Sequence, residues 1–261
     1  MTLFTIAYQE ATDGELSLAD LNQASAVSAA MGVRMVMFDP AQSPASIVAE
    51  LEAIGGVDVI VNLFDGVLEV ARRLAPRLRL VQGTLSGYDE YHHGGQVIMD
   101  GLRELGVSYS NNGGANAAAV AEHTVMLMLM ACRDAPAYYA SARAGTWRAG
   151  VPQPRKGTRE LAGQTVGIVG FGNVGRLVAR RLAGFRCRLL YHDVIELPIG
   201  RQGELDAEAV SLDELLREAD IVSMHVPHLP STRGMMSTPQ FAAMKESAIY
   251  ISTCRGPGKC S

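Results

Sequence analysis

Residues 165–193 read TVGIVGFGNVGRLVARRLAGFRCRLLYHD, and this stretch decides the fold. Val166 to Val169 is a short apolar run that ends in a glycine turn, the pattern of a buried strand. Gly170, Phe171, Gly172, Asn173, Val174 and Gly175 make the turn, and an amphipathic helix is expected from there to about Ala183. The three glycines have separate tasks. Gly170 permits a tight turn, Gly172 leaves room for a pyrophosphate against the backbone, and Gly175 removes a side chain from between helix and sheet. Free amides in the first helical turn can then hold phosphate charge. A second apolar run, Cys187 to Tyr191, ends in His192 and Asp193. A carboxylate there accepts hydrogen bonds from a ribose diol and repels a phosphate, so the expected cofactor is NAD rather than NADP. Glycines that merely tighten a turn are the bland alternative, and the ordered sequence of strand, glycines, helix, strand and acid weighs against it.

The 261 residues are enough for a large core and point to two domains. A hydrophobic fraction of 48% with 19% charged residues fits a soluble α/β protein, and a net charge of -4 argues against general nucleic-acid binding. The opening MTLFTIAYQEATDGE has neither a basic n-region nor a long apolar segment, and no later run spans a membrane without polar interruption, so the cytoplasm is the default location. Cys132, Cys187, Cys254 and Cys260 lack paired spacing and read as free thiols. The histidines form neither HExxH nor a cluster with acids, so no metal site is expected.

Residues 1–112 alternate strand and helix: strands near Leu3–Tyr8, Val33–Phe38, Val57–Val61, Leu78–Val81 and Val107–Ser110, with helices between them. Such alternation predicts a parallel sheet covered on both faces. Ser86, Gly87 and Tyr88 follow the fourth strand in a Gly-bearing loop whose amides can approach a small anion, although an ordinary turn reads equally well from this loop alone. Asn111 to Asn116 interrupts the periodicity as a crossover into a second domain, 113–261. Ala117–Arg133 is a long apolar helix, for whose His123 a packing or capping role is weighed against direct chemistry. Beyond Asp193, residues 194–210 read as a linker, Ser211 and Glu214 make a capping box, and strands follow at Ile221–Val226 and Ala248–Ile251. The minimum sheet order is 3-2-1-4.

These motifs together resemble the D-isomer specific 2-hydroxyacid dehydrogenases. The resemblance rests on Asn116 with VAEHT at 120–124, Gly-Thr-Trp at 145–147, ELAGQTVGIVGFGNVG at 160–175, ADIVSMHVPHLPSTRG at 219–234 and ISTCRG at 251–256. It implies an α/β fold with a Rossmann-like NAD-binding domain, incomplete at its C-terminal end, beside a flavodoxin-like parallel-sheet substrate domain. It also implies reversible hydride transfer between NAD(H) and the 2-carbon of a small hydroxy or oxo acid. On that basis Ser86, Gly87 and Tyr88 are expected to hold the substrate carboxylate. Thr124, Thr232, Thr253 and Cys254 are expected to contact the cofactor with the glycine turn and Asp193, and Val226 and Pro227 to form the wall beside adenine and ribose. Arg255 is similar to the arginine that orients the carboxylate and polarises the oxo group, a task suited to a planar guanidinium fork.

The family's acid/base histidine and its carboxylate partner stand beyond this point, whereas the sequence has no histidine after His228, and His225 and His228 fall too early for that role. The expectation is therefore a shortened family member with weak NAD binding and little turnover, or alternatively a catalytically inactive sensor or partner subunit. Self-association is also expected, from an open sheet edge near Ala248–Ile251 and from the 117–147 region, which resembles the family's homodimer contact.

Overall fold

The computed structural model describes residues 4–9, 30, 32–84, 86, 95–146, 158–195 and 205–254. The chain divides into two compact units, Met1–Gly113 and Gly114–Ser261.

The first unit runs β1 (Phe4–Gln9), β2 (Val33–Phe38), α1 (Pro44–Ala53), β3 (Val59–Val61), α2 (Val67–Leu74), β4 (Leu80–Gln82), α3 (Gly95–Glu104) and β5 (Ser108–Ser110). Its strands pair in the order β2-β1-β3-β4-β5, all parallel, with Ile6 between Met35 and Val59. This 2-1-3-4-5 order is the flavodoxin-like form of the doubly wound sheet. Ala7, Ile60 and Val81 from the strands meet Ile47, Leu51, Val70, Leu74 and Leu102 from the helices in one apolar core. Ser43 starts α1 by accepting the Ser46 amide at 3.2 Å, with Pro44 at the first helical position, where a missing N–H leaves nothing unsatisfied. Asp58, just before β3, accepts the Thr5 amide at 2.8 Å and an Arg77 guanidinium N–H at 2.9 Å, which sets the register of the central strands. The helix expected between β1 and β2 lies outside the described residues except for Ala30.

The second unit contains α4 (Ala117–Arg133), α5 (Ala135–Arg143), β6 (Thr165–Val169), α6 (Asn173–Leu182), β7 (Arg188–His192), β8 (Ala207–Ala209), α7 (Leu212–Glu218), β9 (Ile221–Met224), α8 (Thr238–Ala243) and β10 (Ile249–Ser252). The sheet is again parallel, in the order β10-β9-β6-β7-β8. Numbered within the unit this is 3-2-1-4-5, the dinucleotide-binding order. One expectation is corrected. The stretch 194–210 is not all linker, because Ala207–Ala209 pairs beside β7 and supplies the third strand, with Leu189 opposite Ala207 and Tyr191 opposite Ala209. The strand at Ile221 crosses to the other side of β6, and β10 follows it at the far edge of the described sheet.

Burial on both faces explains the apolar run Val166–Val169 of β6, and all four residues of β9 are buried too, the polar Ser223 among them. Ala121 and Met128 of α4 with Val178 and Leu182 of α6 cover one face, and Leu215 and Leu216 of α7 with Met236 cover the other. Gly167 lets α7 lie close on β6, since a Cβ there would overlap the Leu215 side chain. Asp220 repeats the device of Asp58: it accepts the Thr165 amide at 2.9 Å and pairs with Lys245 at 2.8 Å. Burial alone would raise its pKa, but the Lys245 ammonium and the Thr165 amide hold it below the usual carboxylate value.

Candidate functional site

The site in the second unit is built where β6, β7, β9 and β10 end. Gly170 leaves β6 with φ +89, and its amide donates to the His192 carbonyl at 2.8 Å. A Cβ at this position would stand 2.8 Å from the His225 carbonyl carbon and 2.9 Å from the Val226 nitrogen. Glycine is thus required both by the left-handed backbone and by the exit of β9 beside it. Gly172 caps α6, and a Cβ there would meet nothing within 4 Å. That open side is what a cradle for a pyrophosphate needs. Gly175 differs again: a Cβ would drive into the Gly170 carbonyl oxygen, so the first turn of α6 closes directly onto the loop. Asn173 and Val174 occupy that first turn, whose amides have no partner inside the helix.

Asp193 stands at the end of β7. One carboxylate oxygen accepts the Phe171 amide at 2.6 Å and the other accepts the Ile195 amide at 2.9 Å. The acid therefore holds the glycine turn in shape, a task the sequence reading did not give it. Beneath the turn the Phe171 ring stacks on Tyr191, with centroids 4.2 Å apart and planes at 19°. Val226 and Pro227, expected as a wall, line one pocket with Thr232, Cys254, Met224, His228 and Ser252. Thr232 is occupied in holding its loop, for its hydroxyl lies 2.6 Å from the Pro227 carbonyl and accepts the Leu229 amide at 2.9 Å. Thr124 is fully buried and donates to the Val120 carbonyl at 2.8 Å, and Thr253 lies 3.3 Å from it.

Ser86 belongs to the first unit, where its hydroxyl donates to the Asn112 carbonyl at 3.0 Å. Two neighbours absent from the sequence reading stand at the same strand ends. Asn62 follows β3 at φ +83, and its side-chain oxygen accepts the Thr84 hydroxyl at 2.9 Å. An Asn at the close of a strand is the signal that could have found it, since Asn tolerates the left-handed region. Gly87, Tyr88 and Arg255 lie outside the described residues. His123 is exposed on α4 rather than packed, while the adjacent Glu122 pairs with Arg181 at 2.8 Å. Among the described residues no cluster of His, Cys, Asp or Glu could hold a metal ion, and no helix is long and apolar enough to cross a membrane. Cys132 and Cys187 are free thiols, and burial pushes both above their usual pKa.

The fold and this turn define a dinucleotide-binding α/β protein. Residues 125–258 match the family model described as D-isomer specific 2-hydroxyacid dehydrogenase, NAD binding domain, and the chain belongs to that family. It is 36% identical over 182 residues to a D-3-phosphoglycerate dehydrogenase of Mycobacterium tuberculosis, an alignment covering 70% of this chain and 32% of the relative. A hydroxypyruvate reductase of Thermotoga maritima is 36% identical over 160 residues, covering 61% of this chain and 50% of the relative. The chain thus spans between about a third and a half of these relatives. Among solved structures, apo D-mandelate dehydrogenase of Rhodotorula graminis superposes with a TM-score of 0.80 at 24% identity, over 98% of this chain and 75% of the other, a likeness of fold.

Proposed function

We propose that this chain carries the cofactor site of an NAD(H)-dependent dehydrogenase acting on a small 2-hydroxy or 2-oxo acid. The single observation that carries the reading is the glycine turn: open at Gly172, closed onto itself at Gly175, and laced to the Asp193 carboxylate. Asp193 favours NAD over NADP because a 2′-phosphate beside it would meet a fixed negative charge. Bound NAD would supply the hydride acceptor at its nicotinamide. The chain's own part is to hold the pyrophosphate on the α6 amides and to wall the pocket with Val226 and Pro227; the resemblance assigns carboxylate binding to Arg255 and, separately, to Ser86, Gly87 and Tyr88. The match of Arg255 to the family motif supports its role.

A second reading is a cofactor-binding sensor or partner subunit. General acid/base catalysis contributes about 100- to 10,000-fold, so turnover is the measurement that separates the two readings. These 261 residues are expected to bind NADH, with glyoxylate and hydroxypyruvate as the first substrates to try. Fast NADH oxidation that disappears in Arg255→Ala would decide for the dehydrogenase; saturable binding without turnover would decide for the sensor.

Homodimerisation through α4 and α5 belongs to the same proposal. Met126 and Leu129 of α4 and Tyr138 and Tyr139 of α5 are exposed, with Tyr139 at 65%. Large apolar side chains left uncovered on successive helices suit a second copy better than water. Free thiols support a reducing compartment such as the cytoplasm.

A further inference from the structure

The ends of β9 and β10 alternate in what they face. Met224 and Val226 on one and Ser252 and Cys254 on the other line the pocket, while the residues between them, His225 and Thr253, bond to each other, Nδ1 to Oγ1, at 3.4 Å. The chain of bonds continues in both directions. Ser223 Oγ lies 2.8 Å from His225 Nε2, Thr253 Oγ1 lies 3.3 Å from Thr124 Oγ1, and Thr124 donates to the Val120 carbonyl at 2.8 Å. Ser223 and Thr124 are fully buried.

Proton counting sets the direction of every bond, because each hydroxyl has one proton to give. Thr124 gives its proton to Val120, so Thr253 must donate to Thr124. Thr253 can then only accept from His225, which places a proton on Nδ1. In a neutral ring, which carries one proton, Nε2 is then left as the acceptor for Ser223. The structure assigns His225 a positioning role: held by Ser223 as the neutral Nδ1–H tautomer, it pins Thr253 and so fixes the end of β10 as one wall of the cofactor pocket. On the pocket side the Cys254 thiol donates to the Met224 carbonyl at 3.1 Å, so the two strand ends are joined on both faces. Burial lowers the His225 pKa to about 4, in keeping with a neutral ring at physiological pH. The role in cofactor binding rests on the function proposed above, whereas the tautomer does not.

Two measurements test this. Long-range ¹H–¹⁵N correlation spectra of the histidine-labelled chain at neutral pH should show His225 as Nδ1–H, and Ser223→Ala should release it to a mixture; an Nε2–H ring in the unaltered chain overturns the assignment. In NADH titrations, His225→Asn keeps a donor near the Nδ1 position and should bind within about threefold of the parent, whereas His225→Phe should weaken binding about tenfold. Thr253→Val removes the acceptor at nearly constant shape and should lose the same tenfold, which covers the case of a Phe variant that does not fold. Equal affinity in all three variants refutes the positioning role. Absence of NADH binding in the parent refutes the function instead, and the tautomer spectrum then decides the His225 assignment alone.

Discussion

Gly172 and Gly175 are one residue type in one turn with opposite requirements, and single methyl groups separate them. Gly175→Ala forces a Cβ into a backbone carbonyl, which side-chain motion does not relieve, so urea unfolding should show a loss of about 1–3 kcal/mol. Gly172→Ala meets open space at an ordinary φ of -76, so its unfolding free energy should stay within about 0.5 kcal/mol of the parent. Its NADH affinity should nevertheless fall about tenfold or more, since the methyl takes the ligand's space. An unchanged affinity would remove the pyrophosphate from this turn. At Asp193 the informative change is to Asn, which keeps an acceptor for the Phe171 amide while deleting the charge. The ratio of NADPH to NADH affinity, read by fluorescence titration, should rise about tenfold. The glycines and Asp193 were legible because each obeys a local rule. The Ser223–His225–Thr253–Thr124 chain was not, because it joins residues as far apart as Val120 and Thr253 that only folding brings together.

At the scale of elements, apolar patterning marked every described strand except Ala207–Ala209. Ala207–Ala209 has only three residues, the middle one a glutamate, and its pairing with β7 alone makes it a strand. Its sequence carries no β-branched or alternating signal. Asp220 shows how an acid before a strand fixes two elements at once. Asp220→Ala removes the acceptor for Thr165 and the partner of Lys245, and should lower stability by about 1–3 kcal/mol in denaturant unfolding. Its folded pKa lies below the ordinary 3.8, so this contribution is present above that pH and is lost as pH falls through the folded value. His225 acts over a higher window. The unfolded ring takes up a proton near 6.5 while the native ring resists until about 4. Unfolding free energy should therefore be full above 6.5 and fall between those values by about 1.4 kcal/mol per pH unit. His225→Asn should abolish that slope in urea titrations across the window, and a slope that persists would place its origin elsewhere.

For the molecule as a whole, the alternation of strands and helices was enough to forecast two parallel sheets, and the strand orders 2-1-3-4-5 and 3-2-1-4-5 supplied what alternation alone leaves open. The candidate substrate residues Gly87, Tyr88 and Arg255 rest on motif resemblance, because no periodicity in the sequence marks them. Association should follow the α4 face. Leu129→Glu puts a charge into the exposed apolar stripe, and sedimentation equilibrium should show the dimer giving way to monomer at micromolar concentration; an unaltered dimer would move the interface elsewhere. The central claim is that the second unit holds NAD through its glycine turn. Calorimetric titration of the folded, monodisperse chain with NADH tests it most directly. Saturable binding of one NADH per chain, weakened by Gly172→Ala without loss of stability, is the predicted result, and no saturable heat at millimolar NADH would contradict it.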